Sequence, residues 1–118
     1  MAIRVKRVYD PPDRNDGCRV LVDRLWPRGV GKEEGRIDEW CREIAPSDEL
    51  RKWFGHDPDK WTGFRQRYFA ELEQKEELVA ELAEKARGGS LTLVFGAKDE
   101  KHNNAVALRD YLEKRLRG

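Results

Sequence analysis

The sequence predicts an α/β protein: a small single-domain sheet with parallel central strands, flanked by helices. Three observations predict it. Cys18-Arg19-Val20-Leu21-Val22 and Leu91-Thr92-Leu93-Val94-Phe95 are short, nearly continuous apolar runs, the pattern of strands buried on both faces. Long stretches with helical spacing separate them, and another helix follows the second, the arrangement that parallel pairing requires. The length, 118 residues, is that of one domain spanning 1–118.

In chain order, Ile3 to Tyr9 reads as a first strand, with β-branched Ile3, Val5 and Val8 among basic residues. The segment Asp10-Pro11-Pro12-Asp13-Arg14-Asn15-Asp16-Gly17 is a turn-rich loop. It is shorter than a usual parallel crossover, so the strands it joins are either an antiparallel pair or not neighbours. The Cys18 strand ends where Pro27 and Gly29 stop it. Residues 31–46 are ambiguous: Ile37, Trp40, Cys41 and Ile44 have helical spacing, and Pro46 ends any helix there. Ser47 is a natural N-cap for a short helix through Phe54, closed by Gly55. Trp61, Phe64, Tyr68 and Leu72 form an amphipathic stripe, interrupted at Glu73–Glu77 and resumed at Val79, Leu82 and Ala86. That pattern is one bent helix or two, ending at Gly88-Gly89. After the Leu91 strand, a final helix carries Ala105, Leu108, Leu112 and Leu116, capped by Asn103 or Asn104.

Composition narrows the function classes. Charged residues make up 40% of the chain and hydrophobic ones 38%, but four Trp, four Phe and three Tyr argue for a folded core rather than disorder. No apolar run is long enough to span a bilayer, no membrane partner is expected, and the basic N-terminus lacks the apolar core of a signal peptide. A cytoplasmic location is therefore expected. Cys18 and Cys41 form no framework or zinc motif and read as small core residues. Net charge is +1, which gives no strong attraction to nucleic acid. The ends are basic, however, and the middle is acidic.

The strand ends attract most interest. If the strands at 18–23 and 91–96 run parallel, the segments after them emerge on one sheet edge, where open α/β sheets bind ligands. Arg24, Arg28 and Lys98 supply donors for an anion there, Asn103 and Asn104 would open a helix, and Trp26 offers a ring for stacking. Asp23 joins them at the strand end, where an Asp also serves to tie down a loop. Asp99 and His102 form a candidate acid–base pair. His56, in His56-Asp57-Pro58, reads as a turn residue. Two histidines without a third ligand imply no metal, and the chain has no glycine-rich phosphate loop, dinucleotide fingerprint or nucleophile elbow, so no cofactor is expected.

Four segments together resemble the YeaO-like proteins, a family of small bacterial and archaeal proteins. They are Leu21-Val22-Asp23-Arg24-Leu25-Trp26-Pro27-Arg28-Gly29, Ala45-Pro46-Ser47 with Leu50-Arg51 and Trp53-Phe54, Arg67-Tyr68-Phe69-Ala70-Glu71-Leu72, and Gly96-Ala97-Lys98-Asp99 with His102-Asn103-Asn104-Ala105. The match runs from about Val5 to Leu112. The resemblance implies a compact α/β domain in a prokaryotic cytoplasm and names no activity. Broader relatives carry a Cys-His-Arg cluster after the last strand; here that segment, Lys98 to Asn104, has no Cys.

Three functions follow in order of support. The first is a small-molecule protein, binding or catalytic, with a phosphate-like anion held at the strand ends. The second is a nucleic-acid-associated regulator using the basic terminal segments, although no helix-turn-helix pattern is present. The third is a non-catalytic interaction module with an exposed face including Trp40, Trp53 or Trp61. The sequence leaves the oligomeric state open.

Overall fold

A computed structural model describes residues 2–117, the side chain of Lys32 apart. Four strands, β1 (Ala2–Arg7), β2 (Cys18–Leu21), β3 (Glu39–Trp40) and β4 (Ser90–Phe95), form one all-parallel sheet in the order β1-β4-β2-β3. Between them run α1 (Lys32–Gly35), α2 (Asp48–Phe54), α3 (Trp61–Glu73) and α4 (Glu76–Arg87), and α5 (Asn104–Arg117) follows β4. The first two strands are thus parallel and not adjacent: β4 inserts between them. Their short connection crosses β4 with only a single turn of 3-10 helix, Arg14–Asp16.

The period of two in β4 divides the molecule. Leu91, Leu93 and Phe95 join Val20 and Val22 on the face covered by α4 and α5, with α3 and α2 packed outside. Tyr68 and Leu72 of α3 are fully buried there, and the Tyr68 hydroxyl donates to the Ile44 carbonyl at 2.7 Å. The opposite face is thinner. Val94 and Leu21 meet Val8 and Ile37, with Trp26 and Val30 alongside, the last four all contributed by loops. β4 is buried on both faces, as its unbroken apolar run requires.

Local signals explain most helix ends. The Ser47 hydroxyl accepts the Leu50 N–H at 3.2 Å, and Gly55 closes α2 in the left-handed region at φ 54°. The stripe after Trp61 is two helices, broken at Gln74-Lys75. Asn103 caps α5, its Oδ1 accepting the Val106 N–H at 2.9 Å. Residues 31–46 differ from their helical spacing. Ile37 packs on the thin face, Trp40 lies in the edge strand β3 at 36% exposure, and Ile44 enters the main core from a 3-10 turn. Those apolar side chains serve separate layers, so a single helical stripe does not form.

Across the thin face, polar side chains complete the cover. Asp16 is fully buried, and its carboxylate accepts Arg19 Nη1 at 2.6 Å, Lys6 Nζ at 3.1 Å and its own turn's Asp13 N–H at 3.0 Å. Arg19 also donates to the Gly35 and Arg36 carbonyls at 2.9 and 3.2 Å, and Thr92 Oγ1 donates to the Asp16 carbonyl at 2.7 Å. Gly17 follows at φ 66°, where an added Cβ would lie 2.2 Å from the Ser90 carbonyl oxygen, so only glycine lets the loop turn into β2.

Burial pushes the Asp16 carboxyl up, but the Asp13 N–H, Lys6 and Arg19 outweigh it and hold it below the usual aspartate range. Its contribution is therefore present above the ordinary aspartate value of about 3.9 and lost as pH falls through the lower folded value. Asp16→Ala should cost about 3 kcal/mol in denaturant unfolding at neutral pH, because Arg19 is left buried without its carboxylate. The cost should shrink in acid. A variant as stable as the parent at pH 7 would remove Asp16 as a tie between the strands.

Candidate functional site

The two segments that leave β2 and β4 set where the molecule opens. The chain leaving β2 passes over the thin face, whereas the chain leaving β4 turns into α5 on the other face. They part beyond the carboxyl ends of β2 and β4, and a crevice lies at that divergence, as expected for parallel α/β sheets. The cleft has a volume of about 350 Å³. Asp23, Arg24 and Leu25 come from the end of β2; Ala97, His102, Asn103 and Asn104 come from the segment after β4. Ala45-Pro46, α2 and His56 close the far side.

Asp23 sits at the base. Its Oδ2 accepts the Gly96 N–H at 2.8 Å, and its Oδ1 accepts Asn104 Nδ2 at 3.1 Å; the same amide also donates to the Val22 carbonyl at 3.0 Å. Burial pushes the Asp23 carboxyl above the usual range, and the Gly96 and Asn104 donors oppose that rise only in part. Both oxygens are engaged in joining the two strand ends.

Arg24 is mostly sheltered, with 27% of its side chain exposed. Among the described residues its buried Nε–H finds no acceptor, a deficit of about 1–3 kcal/mol. Arg51 and Lys52 reach the cleft from α2, and His56 from the turn after it, where its backbone takes φ 57°. Among the described residues that line the cleft, Arg24, Arg51 and Lys52 stand with the already occupied carboxylate of Asp23, and Asp48, outside the lining, pairs with Arg51 at 2.9 Å. Phe54 and Phe64, stacked at 4.4 Å between centroids, give it an apolar wall with Pro46 and Leu25.

His102 stands opposite. Its Nδ1 lies 2.9 Å from Asp99 Oδ2, and its ring meets Trp61 edge-on at 5.4 Å. Asp99 Oδ1 accepts the Lys101 and His102 N–H groups at 2.9 and 3.0 Å. These bonds, Lys101 first and then the His102 ring, hold the Asp99 carboxyl below its usual range. The pair fixes one ring nitrogen of a histidine that lines the cleft. Asn103 uses its amide within the turn, donating to the Asp99 carbonyl at 2.9 Å. Helix geometry then leaves the Asn104 and Ala105 N–H groups without intrahelical acceptors at the positive end of α5.

Of the residues expected at the strand ends, Asp23, Arg24, His102, Asn103 and Asn104 converge on the cleft, with Asp99 behind His102. Trp26, Arg28 and Lys98 do not line it. The Trp26 indole donates to the Val30 carbonyl at 2.7 Å and packs under the thin face against Trp40. Arg28 and Lys98 are exposed, and the Arg28 carbonyl accepts the Tyr9 hydroxyl at 3.0 Å. Arg51, Lys52 and His56 were not anticipated. Charges on a short helix look like solvated surface, and no local pattern shows that α2 leans over the strand ends. Among the described residues, no group of three or more His, Cys, Asp or Glu is placed to hold a metal ion. No described helix is long and apolar enough to cross a membrane.

A family model described as the inactive DUF488-N3 subclade matches residues 2–118. The chain is 48% identical to "Uncharacterized protein YeaO" of Escherichia coli (strain K12) over 112 residues, 95% of this chain and 97% of that protein. It is 40% identical to "Uncharacterized protein Rv3073c" of Mycobacterium tuberculosis (strain H37Rv) and to "Uncharacterized protein Mb3100c" of Mycobacterium bovis, covering 96% of this chain and 95% of each. No solved structure matches.

The folded state holds a proton on Asp23 more tightly than the unfolded chain does. The parent should therefore lose stability relative to Asp23→Asn as pH rises above the ordinary aspartate value of about 3.9. Urea unfolding of both proteins between pH 4 and 8, on the order of one pH unit apart, checks this. A gap that does not change with pH would exclude Asp23 from the folding linkage.

Proposed function

The chain belongs to the inactive DUF488-N3 subclade, and on that premise we propose that it binds a small phosphorylated ligand without transforming it. The observation that carries this reading is the charge of the cleft: among the described residues Arg24, Arg51 and Lys52 line it, while the lining carboxylate, Asp23, is spent on Gly96 and Asn104 and the exposed Asp48 beside the lining hydrogen-bonds only Arg51. An anionic group entering there meets donors on one side and the start of α5 on the other. Phe54, Phe64 and Pro46 then accommodate an apolar or ring portion, the usual mixture in a small-molecule site.

The name of the subclade supports binding over turnover, and so does the lining. No Ser, Thr or Cys is among the described residues that line the cleft, so the Asp99–His102 pair has no side-chain hydroxyl or thiol to activate there. In this reading His102 donates to, or accepts from, the ligand at Nε2 and Asp99 holds its ring. Arg24, with Arg51 and Lys52, supplies the charge. Asn103 and Asn104 shape the turn, and Asp23 ties it down. The basic terminal segments give a nucleic-acid role less support. β1 and α5 do pack together, but Arg4 and Lys6 lean on Asp16, and Arg115 pairs with Glu76 at 2.9 Å.

A thermal-shift screen against phosphate, sulfate, sugar phosphates and nucleotides tests the reading. At ten times its Kd a ligand stabilises the native state by about 1.4 kcal/mol, raising the melting temperature by about 5 °C in a domain of this size. Arg51→Ala should abolish most of that shift while leaving the unliganded melting temperature within about 2 °C, since Arg51 is exposed. A parent protein that responds to none of these compounds would end the proposal.

A further inference from the structure

Asp48, the first residue of α2, stands between two of the cleft's arginines. Its Oδ1 accepts Arg51 Nη1 at 2.9 Å and lies 3.6 Å from Arg24 Nε. Two guanidiniums on different elements thus face a single carboxylate oxygen, and only one of them is within hydrogen-bond reach. The Arg24 Nε–H stays buried and unpaired beside it. Asp48 itself is loosely held: its side chain is 65% exposed, and the helix cap below it is made by Ser47 rather than by Asp48.

We propose that Asp48 is an internal stand-in for the ligand's phosphate, occupying the Arg24–Arg51 seat until a phosphate group displaces it. The proposal rests on the binding reading above and adds the seat and its competitor. A phosphate carries three strong acceptor oxygens around one centre, so it can place one on Arg51 and another on the orphaned Arg24 Nε, which a single Asp48 oxygen cannot do. The displaced Asp48 side chain swings into solvent, where a carboxylate is well hydrated. Lys52, also at the cleft, adds charge on the same side, and His56 adds a ring nitrogen. Competition makes the seat selective: a weak or singly charged anion gains little over Asp48, whereas a dianion with several oxygens gains both guanidiniums.

Calorimetric titration with inorganic phosphate tests this on the parent, Asp48→Asn, Glu49→Gln and Arg24→Lys, with the Arg24 Nε–H followed by 15N NMR in the parent. Glu49 is exposed on the same helix and provides the same change in net charge. Asp48→Asn should bind phosphate about tenfold more tightly than the parent, Glu49→Gln within about twofold, and Arg24→Lys about tenfold more weakly. The Nε–H resonance of Arg24 should move with saturation. If the parent binds phosphate but Asp48→Asn is no tighter than Glu49→Gln, or the Arg24 resonance stays still at saturation, Asp48 is not the stand-in and the cleft remains a phosphate site. If none of the four proteins binds, both this proposal and the binding reading fall.

Discussion

The carboxylate of Asp23 holds the carboxyl end of the sheet together. Parallel strands whose crossovers leave on opposite faces have nothing in their ladders to keep the departing chains in register. Asp23 supplies the connection: one oxygen takes the Gly96 N–H just past β4, and the other takes the amide of Asn104 at the start of α5. The same amide reaches back to the Val22 carbonyl, so the two strand ends and the helix close into a ring of hydrogen bonds. Placing that carboxylate under cover is costly, and its upward-shifted titration records the cost. In exchange, the mouth of the cleft has a defined width without any covalent staple.

Another carboxylate, the fully buried Asp16, serves the opposite end of the sheet by different means. The Asp13 N–H, Lys6 and Arg19 overcome its burial and pull its titration down. Asp23 meets only neutral hydrogen-bond donors within contact, and its titration rises. The contrast follows from what each joins. Asp16 gathers side chains from β1 and β2 on a thinly covered face, where Arg19 can also satisfy the carbonyls of Gly35 and Arg36. Asp23 joins the Gly96 backbone to the Asn104 side-chain amide at the edge of an open cleft.

Much of the fold was legible because the signals were local. Ser47, Gly55 and Asn103 mark helix ends by their own chemistry, and the unbroken apolar run of β4 announces a strand covered on both sides. The stretch from Gly31 to Pro46 was not legible for a physical reason: Ile37, Trp40 and Ile44 are apolar at helical intervals, yet each belongs to a different layer. Only the tertiary arrangement separates them. The cleft divides in the same way. Asp23, Arg24, His102 and the two asparagines could be anticipated from their places after buried strands. Arg51, Lys52 and His56 could not, because their place in the cleft lining depends on the direction in which α2 runs, and nothing in seven residues encodes that direction.

The thin face has a consequence for how the molecule breathes. Residues 22–38 form one continuous excursion that covers Leu21 and Val94 on one side and presents Arg24 to the cleft on the other. Few large apolar side chains pin it, chiefly Trp26, Val30 and Ile37, whereas β4 is enclosed by both layers. Local opening therefore concentrates in this excursion, with its amide protons exchanging ahead of those of β4. An occupant bridging Arg24 to α2 would fasten that segment to the main body and slow its exchange. Uniform protection across residues 22–38 and β4 in a deuterium-exchange time course would show instead that the excursion is as firmly held as the core.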